Sequence, residues 1–138
     1  MLANIPLMII PFIVYNVLAL GITATSGSTD VWQNEIFSLG MLSGATWVMT
    51  LGELMITFAL LLLFVEIMKS TRIGANSIID HLLSTFVFVA FLVEFLLVPS
   101  AAHAVFFILM VIAFVDVIAG FSVSIRSATR DVSVGNGY

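Results

Sequence analysis

The sequence has no cysteine and few charged side chains. Without cysteine the chain forms no disulfide, carries no thiol redox chemistry and cannot ligate zinc or an iron–sulfur cluster through sulfur. Charged residues make up only 9% of the chain, whereas soluble domains average about 25%. So little polar surface cannot cover a soluble core. With four basic residues and a net charge of −4, the chain also lacks the basic face that nucleic acid binding needs.

The sequence also lacks the short motifs that carry catalysis. No G-x-S-x-G nucleophile elbow, no H-E-x-x-H zinc motif and no glycine-rich phosphate loop occurs among its 138 residues. Little of the chain lies outside apolar segments, so there is no room for a soluble active site. We therefore predict that the protein is not an enzyme and that it uses no cofactor and no metal ion.

Long apolar segments are the main feature that is present. The chain is 62% hydrophobic with a mean hydropathy of +1.25, and four segments stand out at about residues 5–23, 44–67, 78–98 and 103–124. Each has roughly the 20 residues that an α-helix needs to cross ~30 Å of hydrocarbon, and lipid requires such segments to be helical. The sequence predicts an all-α membrane protein. Residues 1–138 should form a single integral-membrane domain, a four-transmembrane-helix bundle with short loops.

The basic residues predict how this bundle is oriented. Lys69 and Arg72 lie between the second and third segments, and Arg126 and Arg130 follow the fourth. With four spans, all of them fall on one side of the membrane, and positively charged loops stay in the cytoplasm. We therefore expect an N-in/C-in protein of a bacterial inner membrane, with both termini cytoplasmic.

A polar stripe interrupts the second segment. Its members follow one another at intervals of three and four residues: Ser43, Thr46, Thr50, Glu53 and Thr57. This spacing places them on one face of an α-helix, while the other faces are apolar. In a bilayer such a stripe turns toward other helices, so we expect it to be the packing surface of the second helix.

Glu53, Glu94 and Asp116 lie inside the predicted spans and away from their cytoplasmic ends, and no Lys or Arg occurs within any span. Glu53 and Asp116 are expected at similar depth, Asn16 at comparable depth, and Glu94 nearer the outer face. Desolvation favours the neutral form of the two deeper carboxyl groups, Glu53 and Asp116. Gly120 extends the Asp116 face so that a neighbouring helix can approach closely. Three interpretations stay open: inter-helix hydrogen bonding, a proton or cation path through Asn16, Glu53 and Asp116, or pairing of an acid with a basic residue of a partner protein.

The two histidines are the candidate ligands for a pigment. His81 begins the third span and His103 begins the fourth, so they are separated by nearly the membrane thickness, roughly 30 Å. They cannot both ligate one haem within a protomer. A single histidine can bind a haem or chlorin, but neither has the three or four neighbouring ligands of a metal site.

These features favour one function and leave two alternatives. The chain resembles small accessory subunits of bacterial membrane complexes in having almost no extramembrane mass and no catalytic set. We expect a non-enzymatic accessory or assembly subunit whose partners are the lipid bilayer and other membrane protein subunits, with a homo-oligomer possible. The alternatives are a small oligomeric proton- or cation-conducting channel or transporter, and a pigment- or haem-binding electron-transfer subunit.

Overall fold

The computed structural model of this chain describes residues 5–23, 30–72 and 75–135. The described part is mostly helical, with a β-hairpin between the first two helices. In chain order the elements are α1 (Ile9–Thr23), β1 (Glu35–Gly40), β2 (Thr46–Thr50), α2 (Leu51–Lys69), α3 (Ala75–Leu97) and α4 (Ala104–Gly135). Short 3-10 turns precede the hairpin at Val31–Gln33 and connect α3 to α4 at Pro99–Ala101.

Three helices in the described part of the chain are long and apolar enough to cross a membrane. Their apolar stretches are Leu51–Lys69, Ser77–Leu97 and Ala104–Arg126, while the apolar part of α1, Ile9–Gly21, is shorter. The prediction of a mostly helical chain with long apolar helices that could span a membrane is therefore confirmed, but the all-α prediction is wrong because β1 and β2 form a hairpin. The described helices do not, however, form four equivalent spans, and the second span begins at Leu51 instead of near residue 44.

Hydrogen bonds between the ends of different helices define two ends of the bundle. Lys69 ends α2, and its Nζ donates to the backbone oxygen of Ile5, just before α1, at 3.1 Å. Ser124, far along α4, donates to the backbone oxygen of Ser70 at 3.0 Å. We call this the basic end. The opposite end, which carries β1 and β2, is called the hairpin end.

The core of the bundle is built around α4, which packs against both α2 and α3. Five of its buried residues follow one another at intervals of three and four: Phe106, Leu109, Ala113, Asp116 and Gly120. That spacing marks one face of a helix. The interior therefore changes along α4, from large apolar side chains near the hairpin end to small and polar ones near the basic end.

β1 and β2 form a two-stranded antiparallel hairpin. In the turn at residues 41–45, Met41 donates its N–H to the Ala45 oxygen at 2.8 Å, and Gly44 donates to the Met41 oxygen at 3.0 Å. Gly44 has a φ of 86°, a left-handed conformation that glycine adopts without steric cost. The β-branched and aromatic residues at positions 46–48 favour the strand that follows.

α2 begins directly after β2 because Thr50 caps it. The Thr50 hydroxyl accepts from the Glu53 N–H at 3.3 Å, and the Glu53 carboxylate accepts from the Thr50 N–H at 2.9 Å. This reciprocal capping box satisfies amide groups that would otherwise have no partner at the start of a helix. The sequence signature T-x-x-E therefore marks the true beginning of the second span.

The prediction that the polar stripe forms the packing surface of the second helix is wrong. Ser43 lies in the hairpin turn, and Thr46 and Thr50 lie in β2. Glu53 and Thr57 are helical, but both are exposed. The reason is that intervals of three and four residues do not distinguish a helix from a turn, strand and helix start that follow one another.

Other residues form the buried face of α2, and the pattern is helical: Gly52, Met55, Ala59 and Glu66. The packing around Gly52 leaves no room for a side chain. A Cβ there would lie 2.8 Å from Cγ2 of Val105 and 3.1 Å from the backbone oxygen of Trp32. The missing side chain therefore lets α2, α4 and the turn before the hairpin meet.

Candidate functional site

A cluster of polar side chains lies between α2, α3 and α4 near the basic end. Its members, called the polar cluster below, are Glu66, Lys69, Ser70, Ser77, His81, Ser84, Asp116 and Ser124. Burying polar groups is costly unless they are hydrogen-bonded. The contacts of each group therefore decide what the cluster can do.

Glu66 attaches the segment before α1 to α2. Its side chain is buried, and Oε2 accepts from the Leu7 N–H at 3.0 Å. Lys69 Nζ lies 3.4 Å from both carboxylate oxygens and also donates to Ile5. A buried carboxylate requires both hydrogen bonds and a counter-charge, and Glu66 has both here. This pair closes the basic end of the bundle.

His81 is bonded to serines of α3 and α4. Its Nε2 contacts Ser124 Oγ and lies 3.3 Å from Ser77 Oγ, and the two serine oxygens are 3.1 Å apart. Ser124 donates its single hydroxyl hydrogen to the backbone oxygen of Ser70. Because that hydrogen is already used, the hydrogen shared between the ring and Ser124 is assigned to Nε2.

Gly120 makes room for this imidazole between α3 and α4. A Cβ at Gly120 would lie 3.0 Å from Nδ1 and 3.1 Å from Cε1 of His81. The ring of Phe121 also contacts His81, with centroids 4.9 Å apart. A small residue at this point thus permits the close helix contact that membrane bundles favour.

Asp116 is the acid at the centre of the polar cluster and is 3% exposed. Its carboxyl group lies beside the Ser84 hydroxyl, while Oδ2 has no partner among the described residues. Glu66 and Lys69 lie close enough to act on it electrostatically. An unpaired charge so far from water is costly, which favours the neutral carboxyl. The group can bind a proton, or it can serve only as a hydrogen-bond partner for α3.

Asn16 and Glu94 join α1 to α3 nearer the hairpin end. Asn16 Nδ2 donates to Glu94 Oε2 at 3.1 Å and to the Phe12 backbone oxygen at 3.0 Å. The path interpretation instead needs Asn16 beside Glu53 or Asp116. Glu53 lies at the start of α2 at the hairpin end, where it bonds Thr50.

An apolar layer separates this pair from the polar cluster. The buried side chains between them are Val87, Phe91, Phe106 and Leu109. Ser84 and Glu94 are ten residues apart on α3, which corresponds to about 15 Å. The described contacts therefore do not join Asn16, Glu53 and Asp116 into one polar route.

His103 connects the hairpin end of α4 to the turn before β1. Its Nε2 lies 2.9 Å from Asp30 Oδ2, and its Nδ1 accepts from the Val105 N–H at 3.1 Å. Nε2 therefore carries the hydrogen and donates to the carboxylate. Burial raises the pKa of Asp30, but hydrogen bonds from His103 and the Trp32 amide outweigh it and hold that pKa below its ordinary value.

Both histidines thus use Nε2 for contacts within the chain. A haem or chlorin bound at Nε2 of either ring would have to replace the bond to Ser124 or to Asp30. Within residues 5–23, 30–72 and 75–135, no group of three or more His, Cys, Asp or Glu side chains is arranged to hold a metal ion.

Sequence reasoning missed Tyr15 and Trp32, which fix α1 at the hairpin end. Tyr15 is buried, donates to the Ser100 backbone oxygen at 2.9 Å, and stacks on Trp32 with ring centroids 4.5 Å apart. The available signal was a tyrosine in a mostly apolar helix, because a buried phenol hydroxyl usually has a hydrogen-bond partner. Its partners, however, are distant in sequence.

Comparisons with protein-family models, curated proteins and solved structures find no match for this chain. A function must therefore be inferred from the arrangement of its residues.

Proposed function

We propose that this chain is a non-enzymatic accessory or assembly subunit of a larger membrane protein complex. The hairpin carries this proposal. By register, Phe37, Leu39, Trp47 and Met49 lie on one face of the strand pair, called the hairpin face below. Phe37, Leu39 and Trp47 are 46%, 53% and 40% exposed. An apolar surface of this kind, projecting from a bundle, is typical of a site of protein contact.

The hairpin also lacks the features that usually protect strand edges. No charged residue occurs between Glu35 and Glu53, and the described sheet consists of β1 and β2 alone. Exposed edges are normally blocked by charges, proline or a covering element, and a lone two-stranded hairpin is only marginally stable in water. A partner protein that covers the hairpin face and pairs with an edge strand would both block the exposed edge and stabilise the hairpin.

The distribution of charge supports a cytoplasmic basic end. Lys69, Arg72 and Arg126 lie at or just beyond this end, as judged from the contacts of Lys69 with Ile5 and of Ser124 with Ser70. The positive-inside rule then places this end in the cytoplasm and the hairpin on the outer side. We propose a bacterial inner membrane as the location, with cytoplasmic termini.

This orientation includes α1 as a fourth crossing. Its 15 residues extend about 22 Å, less than the ~30 Å of hydrocarbon. The segment before it is fixed at the basic end by Glu66 and Lys69, and Tyr15 is fixed toward the hairpin end by Ser100. These contacts support a short helix that crosses together with the residues that flank it.

Purification from native membranes tests the proposed function. The wild-type chain should copurify with other membrane proteins at a fixed ratio in mild detergent. Leu39→Lys places a charge on the hairpin face and should remove them. The matched control is Ser38→Lys, because Ser38 is the adjacent exposed residue and points to the opposite face. That variant should retain the partners.

Two outcomes contradict the proposal. One is a wild-type chain that purifies as a homo-oligomer without other proteins. The other is a set of copurifying proteins retained by Leu39→Lys as well as by Ser38→Lys. If the second outcome is found and lipid also shields the hairpin from a water-soluble label, the hairpin face lies on the bilayer.

One observation favours proton or cation conduction as a second candidate, namely Asp116 with its unpartnered Oδ2 among the described residues. The apolar layer of Phe91 and Phe106 argues against a continuous route within one copy of the chain. Purified protein in vesicles distinguishes the two candidates. A proton flux in wild type that Asp116→Asn removes would favour conduction, whereas we expect no flux.

A further inference from the structure

A groove open to the surrounding lipid runs between α1 and α3. It consists of two cavities of about 590 Å³ and 530 Å³, and Ala90 lines both of them. On α1, the residues that line the first cavity end at Ile13, and those that line the second cavity begin at Asn16. The two cavities are therefore consecutive parts of one groove, called the α1–α3 groove below.

The two halves of the groove differ in chemistry. The half toward the basic end is lined only by apolar side chains, including Phe12, Phe86 and Val87. The half toward the hairpin end contains Asn16, Glu94 and Ser100. A ligand that fits both halves is an amphiphile with a hydrocarbon chain and a polar head.

Glu94 determines the sign of charge that this head should carry. It is the only charged residue among those that line the described groove. Asn16 donates one hydrogen bond to it, but an amide carries no charge to balance a carboxylate. The described basic side chains, Lys69, Arg72 and Arg126, belong to the opposite end of the bundle. A cationic head that donates hydrogen bonds complements this site.

The length of the groove matches one leaflet of a bilayer. Glu94 and Leu83, near its two ends, are eleven residues apart on α3, which corresponds to about 16 Å. Half of the ~30 Å hydrocarbon layer is about 15 Å. Glu94 also lies one turn before the end of α3 at Leu97. The polar half therefore falls near the membrane surface and the apolar half extends toward the midplane.

We propose that the α1–α3 groove binds a phospholipid with a primary ammonium head. The ammonium group donates to the Glu94 carboxylate, and one acyl chain lies against Phe12, Phe86 and Val87. A choline head carries the same charge but has no N–H to donate, so it should bind more weakly. This lipid site is independent of the partner contact proposed for the hairpin.

The test compares ethanolamine and choline phospholipids with identical acyl chains. Each is titrated into the purified full chain in mild detergent, and bound lipid is counted by native mass spectrometry. Wild type should prefer the ethanolamine lipid by about tenfold, the ratio expected for one hydrogen bond to a charged group. Glu94→Gln should abolish this preference, because the glutamine oxygen can still accept from Asn16 but carries no charge.

Two further variants control for the fold and for the groove itself. Glu35→Gln makes the same change at an exposed hairpin residue outside the groove, and should keep the preference. Ala90→Phe fills the junction of the two cavities and should reduce binding of both lipids. Circular dichroism verifies that each variant is folded.

The proposal is overturned if wild type binds both lipids equally, or if Glu94→Gln keeps the ethanolamine preference. Should Ala90→Phe fail to fold, the comparison of Glu94→Gln with Glu35→Gln still decides.

Discussion

At the scale of single residues, the absence of a side chain at Gly120 decides how α3 and α4 meet. His81 is bonded to Ser124 of α4 and cannot move away from α4 without losing this bond. Replacing Gly120 with Ala places a Cβ 3.0 Å from the ring. We expect Gly120→Ala to lower the free energy of unfolding by about 1–3 kcal/mol, the usual cost of overpacking.

Unfolding by SDS from a mild detergent, followed by circular dichroism, measures this effect. Gly21→Ala is the matched control, since a Cβ at Gly21 meets no atom of the described residues within 4 Å. A helical glycine replaced by alanine without a clash should gain about 0.5–1 kcal/mol. Equal unfolding curves for both variants would show that His81 has room to shift.

Asp30 should make the hairpin end sensitive to acid. Its folded-state pKa is lowered, so it contributes stability above its unfolded pKa of about 3.9, and that contribution is lost as the pH falls through the folded pKa. Asp30→Asn should therefore destabilise the protein near neutral pH and differ little from wild type in strong acid. Near-ultraviolet dichroism of Trp32, recorded during unfolding at several pH values, measures this difference.

Glu35→Gln controls for the loss of a carboxylate at the same end. If the difference in stability between wild type and Asp30→Asn stayed constant across the acid range, the His103 contact would not depend on the charge of Asp30.

The sequence indicates some of these residues and not others. Asp116 is conspicuous because acids are rare in apolar helices, and Gly120 follows it at helical spacing. Tyr15 and Glu66 gain their roles from Ser100 and Leu7. Contacts across such sequence separations depend on how the helices are arranged, which spacing along one segment does not specify.

At the scale of elements, α3 and the start of α4 could be predicted closely, whereas the start of α2 and the end of α4 at Gly135 could not. The apolar stretches of α3 and α4 have no competing local signal. Before α2, three local signals compete with helical spacing: the Ser43–Gly44 turn pair, the strand formers around Trp47, and the T-x-x-E box at Thr50. These short-range effects together outweigh a periodicity that only five residues define.

The capping box gives a prediction at this scale. Thr50→Ala removes the hydroxyl that accepts the Glu53 N–H and should cost about 1 kcal/mol of stability. Thr50→Ser keeps the hydroxyl and should resemble wild type. Hydrogen exchange of the Glu53 amide reports the same event locally, and should accelerate in Thr50→Ala only. Equal exchange in the two variants would show that the cap does not hold this end of α2.

At the scale of the whole molecule, the arrangement follows from where polar groups can be satisfied. α4 is central because its small and polar face meets both α2 and α3. The polar cluster fixes the basic end, while Tyr15, Trp32 and His103 fix the hairpin end. Composition alone predicts a membrane bundle. The weaker attachment of α1, which leaves the α1–α3 groove open, could be seen only in the packed structure.

The proposed orientation leads to a whole-molecule prediction that the lack of cysteine makes simple to test. Single cysteines are introduced at three exposed residues: Ser43 in the hairpin turn, Thr71 after α2, and Ile5 before α1. A membrane-impermeant maleimide added to intact spheroplasts should label Ser43→Cys, because the hairpin lies outside. Thr71→Cys and Ile5→Cys should react only after permeabilisation, because basic residues keep that end in the cytoplasm. Labelling of Ile5→Cys from outside would mean that α1 does not cross the membrane, and labelling of Thr71→Cys from outside would reverse the orientation of the bundle.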